Sequence, residues 1–167
     1  FEIDGEIFEL PENNGKATLH SGPESWYRKV WDAEKKGNRI IFSLDSPDGE
    51  FGFPGNKRAV VIYTLTDNNE LRIEYKVTSD KATHINVTNH SYFNLKGEGN
   101  GDILNQILVI NANQTTPVID DSMIPTGEIT DIRGTALDFT TPHAIGERID
   151  AGDPALQCGS GYDLNYV

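Results

Sequence analysis

The chain has 167 residues, with 14 Lys plus Arg against 26 Asp plus Glu, a net charge of −12 and a pI of about 4.6. That size suits one domain or part of a larger one, and the acidic balance opposes nucleic acid, whose phosphates need Lys and Arg to replace released counterions. The single Cys158 rules out an intramolecular disulfide, no Cys/His cluster has zinc spacing, and apolar runs such as Ala59 to Tyr63 fall far short of the roughly 20 residues a membrane helix needs.

In chain order the patterns predict mostly β structure. Phe1 to Leu10 reads as a hairpin turning at Asp4-Gly5, because both central positions of a tight hairpin turn require positive φ. Gly15 to Trp26 reads as irregular. Strands follow at Arg39 to Leu44, at Arg58 to Thr66 and at Glu70 to Ser79, separated by the irregular stretch Asp45 to Gly55 and by the turn Asp67-Asn68-Asn69. The alternation in Leu71-Arg72-Ile73-Glu74-Tyr75-Lys76-Val77 is the clearest, with one apolar and one charged face. Thr83 to Leu95 reads as another strand, Lys96 to Gly101 as a hairpin connection and Gln106 to Asn111 as a further strand. Thr115 to Asp138 is expected to be irregular, and only Pro142 to Ile149 offers a helical turn or two. The three irregular stretches are too polar and too rich in Gly and Pro to be expected in the core. Many short strands with few helices point to an all-β, antiparallel β-sandwich.

Candidate chemistry concentrates in the predicted strand Thr83 to Leu95. Residues 84, 86, 88, 90 and 92 of one strand share a face, here His, Asn, Thr, His and Tyr, a mixture of fixed hydrogen-bonding groups suited to a polyhydroxylated ligand. The alternative is an ordinary solvated sheet face. Leu19-His20-Ser21-Gly22 presents a histidine on a turn-rich loop. Gly159-Ser160-Gly161-Tyr162-Asp163 sets a carboxylate and an aromatic ring beside permissive glycines, either facing a ligand or forming a turn in which Asp163 bonds its own backbone. Gly97, Gly99 and Gly101 lack the helix pattern and Lys-Ser/Thr of a phosphate cradle, and no Gly-x-Ser-x-Gly elbow is present.

Several segments together resemble the galactose mutarotase (aldose 1-epimerase) family. They are Phe1-Glu2-Ile3-Asp4-Gly5, Asn13-Asn14-Gly15, Leu19-His20-Ser21-Gly22 and Asp48-Gly49-Glu50-Phe51-Gly52-Phe53-Pro54-Gly55. Thr88-Asn89-His90-Ser91-Tyr92-Phe93-Asn94-Leu95, Ile124-Pro125-Thr126-Gly127-Glu128 and Gly161-Tyr162-Asp163 complete the set, in the family's order from end to end of the chain. The resemblance implies a large antiparallel supersandwich of which residues 1–167 form the central part of a single domain, trimmed at both ends. It implies that His90 is the general acid, that His20 and Asp163 bind sugar hydroxyls, and that hexoses such as galactose and glucose are interconverted between anomers without a metal, a cofactor, nucleic acid or a membrane.

Departures from the family pattern stand beside it. Ser21 occupies a position where the family usually has glycine, and Leu164 follows Asp163 where histidine is usual, which removes a polar group beside the cleft. The family's glutamate base lies in a segment later than Val167, and a sugar-binding arginine precedes the region matching Phe1. These departures keep open a second reading, a mutarotase-like carbohydrate-binding or sensing domain without chemistry; a third, an enzyme of phosphorylated sugars, predicts an arginine cluster in the cleft, whereas Asn89 to Leu95 and Gly52 to Gly55 resemble the neutral-sugar branch more closely. Sequons at Asn86, Asn89 and Asn113 read as chance matches, since a glycan on Asn89 would crowd His90, so a cytoplasmic location is expected.

Overall fold

Asp4 and Gly5 take φ values of 51° and 85°, the positive values a two-residue hairpin turn needs, and they join β1 (Glu2–Ile3) to β2 (Glu6–Ile7) in the register Glu2↔Ile7, Ile3↔Glu6. This hairpin opens a computed structural model that describes residues 1–118, 120 and 123–167 and is mostly β, with every strand pairing antiparallel. Two compact units divide it, Phe1–Asn89 and His90–Val167.

The first unit is built on a four-stranded meander of β3 (Asp32–Lys36), β4 (Arg39–Ser46), β5 (Lys57–Leu65) and β6 (Leu71–Ser79), hydrogen-bonded in that order. Gly37 at φ 61° starts the two-residue connection from β3 to β4, and Asn69 at φ 60° closes the predicted Asp67-Asn68-Asn69 turn within the loop from β5 to β6. The predicted strands at 39–44, 58–66 and 70–79 are thus present with ends displaced by a residue or two. β3 lay outside the pattern reading because all five of its residues are exposed. An edge strand bonds a neighbour on one side only and needs no buried residue, and charges such as Lys35 and Lys36 discourage further pairing along its free edge.

Directly paired residues share a sheet face. Ile40↔Tyr63, Phe42↔Val61 and Leu44↔Ala59 continue across β5 to Ile73, Tyr75 and Val77, an uninterrupted apolar face. Its centre is a hollow of about 750 Å³ whose walls include Trp31, Phe42 and Tyr63, and its rim leaves Ile40 (42%), Leu65 (61%) and Leu71 (46%) exposed.

The stretch between β4 and β5 is irregular, as expected, but tightly cross-linked. Lys57 is 4% exposed, and its ammonium donates to the carbonyls of Phe53 (3.0 Å), Pro54 (3.4 Å) and Gly55 (2.6 Å). Burial pushes the Lys57 pKa down while Glu50, Asp48 and Asp80 oppose that shift. Asp48 accepts from the Gly55 N–H at 2.6 Å, and Asp80 accepts from the backbone and side-chain nitrogens of Asn56 at 2.6 and 2.7 Å. Within this stretch only glycine fits at position 52, since a Cβ there would lie 2.2 Å from the Glu9 carbonyl oxygen.

Thr83 to Leu95 is not a strand. Among the described residues nothing pairs with it, and the boundary between the units falls inside it, after Asn89, so the expected face of residues 84, 86, 88, 90 and 92 does not form. A period of two describes side-chain polarity, whereas a strand also requires a ladder to satisfy its backbone. Lys96 to Gly101 therefore connects no hairpin. It is a loop pinned by Asn94, which donates to the Gly101 carbonyl at 3.2 Å and accepts from Lys96 N (3.0 Å) and Gln106 Nε2 (2.7 Å).

In the second unit, the predicted strand at 106–111 shrinks to β7 (Ile107–Leu108). β8 (Gln114–Thr116) and β9 (Thr130–Asp131) pair with each other, β10 (His143–Ala144) pairs with β7, and β11 (Asn165–Tyr166) completes a β11-β8-β9 sheet. The expected helical turn at 142–149 is one 3₁₀ turn, Ile145–Glu147, and the one α-helix among the described residues is α1 (Pro154–Cys158). Asp153 caps α1 by accepting from Ala155 N at 2.9 Å, and Pro154 occupies its first turn, where no N–H is needed.

Thr115 to Asp138, expected to stay out of the core, supplies much of it. Ile119, Asp121 and Ser122 lie outside the described residues, but Thr115 (4%), Ile132 (2%) and Leu137 (5%) are buried. Ile132 and Leu137 cluster with Leu156 of α1, and Ala136, Ala155, Tyr162, Leu164 and Tyr166 pack around them. The turn that folds Leu137 back beside Ile132 is closed by Thr135, whose N–H and hydroxyl both donate to the Ile132 carbonyl, at 3.0 and 2.6 Å. Phe139, at 0% exposure, meets the Tyr162 ring edge-to-face at 5.0 Å, with the Arg148 guanidinium 5.2 Å from its centre.

Two predictions follow from these units. Residues 1–167 expressed alone should bind the dye ANS and self-associate with rising concentration, because the Ile40–Leu65–Leu71 rim is open to water. Tyr75→Glu on that face should reduce both signals, and fluorescence titration with sedimentation checks this. The Tyr166 phenol donates to the Leu137 carbonyl at 3.0 Å, and burial pushes its pKa up to about 12. A phenol raised above its ordinary value of about 10 contributes stability that is complete below about pH 10 and is lost as pH rises through its folded value. Urea unfolding of the chain should therefore weaken between about pH 10 and 12, and less so in Tyr166→Phe.

Candidate active site

The three candidate side chains are carried by different local devices, and all three are exposed. His20 belongs to the first unit, His90 and Asp163 to the second.

His20 sits at the tip of a tight turn. Gly22 N donates to the Leu19 carbonyl at 3.0 Å, and the two central residues, His20 and Ser21, have φ values of 51° and 61°. This is the mirror-image turn that favours Asn and Gly, and each residue with a Cβ costs about 1–2 kcal/mol to hold in that region. Gly22, at φ 96°, is fixed by a second constraint: a Cβ on it would lie 2.7 Å from Pro11 Cγ. The His20 ring packs edge-to-face against Tyr27, at 6.4 Å and 73°, and Arg28 lies over that tyrosine at 5.6 Å. Tyr27 begins no periodic pattern, so its role beside His20 was not legible beforehand.

The segment bearing His90 is anchored on both sides. Just before it, Asn89 Nδ2 donates to the Tyr63 hydroxyl of β5 at 2.5 Å, and the Tyr63 ring meets Phe42 edge-to-face at 5.9 Å. Just after it, the Asn94–Gln106 amide pair described above holds the chain. Between these anchors the His90 ring lies 5.3 Å from that of Tyr92, which is 90% exposed. Asn89 and Asn94 belong to the motif Thr88 to Leu95, whose spacing alone does not distinguish anchors from ligand contacts. His84, placed on the same expected face as His90, instead meets the Phe1 ring edge-to-face at 4.9 Å.

Asp163 is aimed outward by alternation. Tyr162, Leu164 and Tyr166 pack on the Ile132–Leu137–Leu156 cluster, while Asp163 and Asn165 between them are exposed. Among the described residues no hydrogen bond reaches the Asp163 carboxylate, so the alternative of an aspartate bonding its own backbone is not what forms. The loop before it uses Ser160 at φ 51° and Gly161 at φ 133°, and a Cβ on Gly159 would come within 2.9 Å of Asp163 Cβ. Leu164 belongs to the apolar cluster. A histidine in its place would meet the same apolar neighbours.

Elsewhere in the second unit, His143 Nδ1 lies 3.1 Å from both Glu147 carboxylate oxygens, which holds the Glu147 pKa down. Among the described residues no group of three or more His, Cys, Asp or Glu side chains could hold a metal ion, and no helix is long and apolar enough to cross a membrane.

Comparison with known proteins agrees with the resemblance carried by the motifs. The family described as Aldose 1-epimerase matches residues 1–167. The chain is 40% identical over 166 residues to the galactose mutarotase of Bos taurus, covering 99% of this chain and 46% of that protein. It is 39% identical over 168 residues to the aldose 1-epimerase of Escherichia coli K12, covering 100% of this chain and 48% of that protein. Among solved structures, galactose 1-epimerase from Lactobacillus acidophilus NCFM superposes with a TM-score of 0.84 at 30% identity, covering 100% of this chain and 50% of that one. The chain spans about half the length of the curated relatives it matches.

The strain at the His20 turn gives a prediction. Ser21→Gly should stabilise the first unit by about 0.5–1 kcal/mol, because glycine occupies positive φ without penalty, and Gly22→Ala should destabilise it by more, through its own positive φ and the contact with Pro11. Urea midpoints of the two variants check the opposite signs.

Proposed function

This chain belongs to the aldose 1-epimerase family, and we propose that the whole protein interconverts the α and β anomers of hexoses such as galactose and glucose. The observation that carries the reading is that His20, His90 and Asp163, the side chains the family resemblance assigns to the sugar, are all exposed, each on a locally braced loop or turn.

Anomer interconversion needs the hemiacetal ring to open and close. His90 donates a proton to the ring oxygen as its bond to the anomeric carbon breaks, while a carboxylate removes the proton from the hydroxyl on that carbon, leaving an open-chain aldehyde. Rotation about the first carbon–carbon bond presents the other carbonyl face, and reclosure returns both protons with the roles exchanged. Histidine suits such a two-way transfer because its ordinary pKa, about 6.5, lies near neutrality. The family resemblance gives the carboxylate role to a glutamate in a segment following those matched here. His20 and Asp163 bind hydroxyls and hold the ring in register with the two proton-transfer groups. Proton transfer alone balances the reaction.

Polarimetry of freshly dissolved α-galactose with the whole protein tests the proposal. His90→Asn should lower turnover by about 10²- to 10⁴-fold, the usual worth of a general acid, with the fold kept because an exposed histidine fills no core volume. A variant that mutarotates at the unsubstituted rate would reject His90 as the acid.

A further inference from the structure

Asn13 takes no part in the chemistry proposed above, yet it holds the backbone on which His20 is mounted. Its side-chain amide bonds both polar groups of one residue: Nδ2 donates to the Leu19 carbonyl at 2.9 Å, and Oδ1 accepts from the Leu19 N–H at 2.7 Å. That carbonyl also accepts from Gly22 N at 3.0 Å, so the atom that closes the His20-Ser21 turn is the atom Asn13 holds. The base of the clamp is itself fixed. Asn13 N and Asn14 N donate to the Ala17 carbonyl at 3.2 and 3.1 Å, Ala17 N returns a bond to Asn14 O at 3.0 Å, and Thr18 Oγ1 donates to Pro11 O at 2.9 Å.

We infer that Asn13 is a positioning residue for His20, clamping Leu19 so that the strained turn beyond it keeps the histidine in its sugar-binding orientation. The inference rests on the reading of His20 as a sugar contact. Two consecutive left-handed residues that are not glycine do not hold such a turn by local preference, so an external constraint must select it. Asn supplies what a neighbouring strand would supply, one donor and one acceptor at peptide spacing. Without it the binding-competent turn is only fractionally populated, and apparent affinity falls by that fraction. Ser21 then becomes the sensitive position, because glycine there favours the same turn without help.

The test measures KM and kcat for galactose in the whole protein with His20→Ala, Asn13→Ala, Asn13→Asp, Ser21→Gly and the double variant Asn13→Ala/Ser21→Gly. Asn13→Ala should raise KM about tenfold while kcat stays within about twofold, and Asn13→Asp, which keeps the acceptor and loses the donor, should also raise it. Ser21→Gly should change KM little alone and recover at least about threefold of the loss in the double variant, as expected when it restores a depleted population. Hydrogen exchange at the Leu19 amide should speed up in Asn13→Ala, where its acceptor is gone. If His20→Ala raises KM and neither Asn13 variant does, the clamp is not a positioning device and the inference falls alone. The same holds if Asn13→Ala lowers kcat and the urea midpoint together with no recovery from glycine. If His20→Ala leaves KM unchanged, the reading of His20 falls first and takes the inference with it. Should Asn13→Ala fail to fold, Asn13→Asp and its combination with Ser21→Gly decide by the same criteria.

Discussion

Backbone groups that find no ladder must find another partner, and much of this structure follows from how that requirement is met. Outside the β3–β6 sheet the strands are two or three residues long, so most N–H and C=O groups lie in turns and loops. Short polar side chains stand in for missing strands. Asn13 serves Leu19, Asp48 serves Gly55, Asp80 serves Asn56, and Asp138 serves Gly134 and Thr140. The Thr140 hydroxyl at 2.6 Å, followed by those two N–H groups, holds the Asp138 carboxyl down at a pKa of about 2, where it stays ionised as an acceptor through ordinary pH. Lys57 extends the same logic to a cation, since a buried ammonium with three carbonyl acceptors exchanges one set of hydrogen bonds for another while locking the 53–55 backbone.

This explains which parts of the fold were legible in the sequence. β4, β5 and β6 could be read because their pairing is written in alternation: the residues that meet across the register are the apolar ones. β3 is a strand by hydrogen bonding alone, and its exposed residues carry no trace of a buried face. Thr83 to Leu95 errs in the opposite sense, with alternation and no ladder. The second unit's core was hidden for a different reason. Ile132, Leu137 and Leu156 are far apart in any periodic sense and meet only because the Thr135 turn and α1 bring them together. For α1 a signal was present, since Asp153-Pro154 is a capping residue followed by a proline suited to the first turn.

The candidate site was legible to a different depth. His20, His90 and Asp163 were found through the family's motifs, because a single exposed histidine or aspartate carries no periodicity of its own. What the motifs did not separate is the residue proposed to meet a sugar from the residue that holds it in place. Asn89 and Asn94 sit inside the motif of His90 and Asn13 in the motif just before that of His20, and in the structure each bonds a fixed part of its own unit: Tyr63, the Gly101–Gln106 loop and Leu19. Tyr162 and Leu164 do the same for Asp163 by burying the faces on either side of it.

The motifs are therefore better understood as mounts than as lists of ligand contacts. A loop can present an exposed polar group in a definite direction only if its backbone has somewhere else to spend its hydrogen bonds, and its neighbours have somewhere to bury their carbon. His20 shows the cost most directly. Its turn is one that neither His nor Ser favours, and left to local preference it would relax toward the negative-φ region available to both. The Asn13 amide opposes that relaxation at Leu19, and at the far end of the turn Pro11 leaves no room for any residue but glycine at position 22. Strain of this kind persists only where surrounding contacts hold it, and here they do so beside the histidine proposed to bind the sugar.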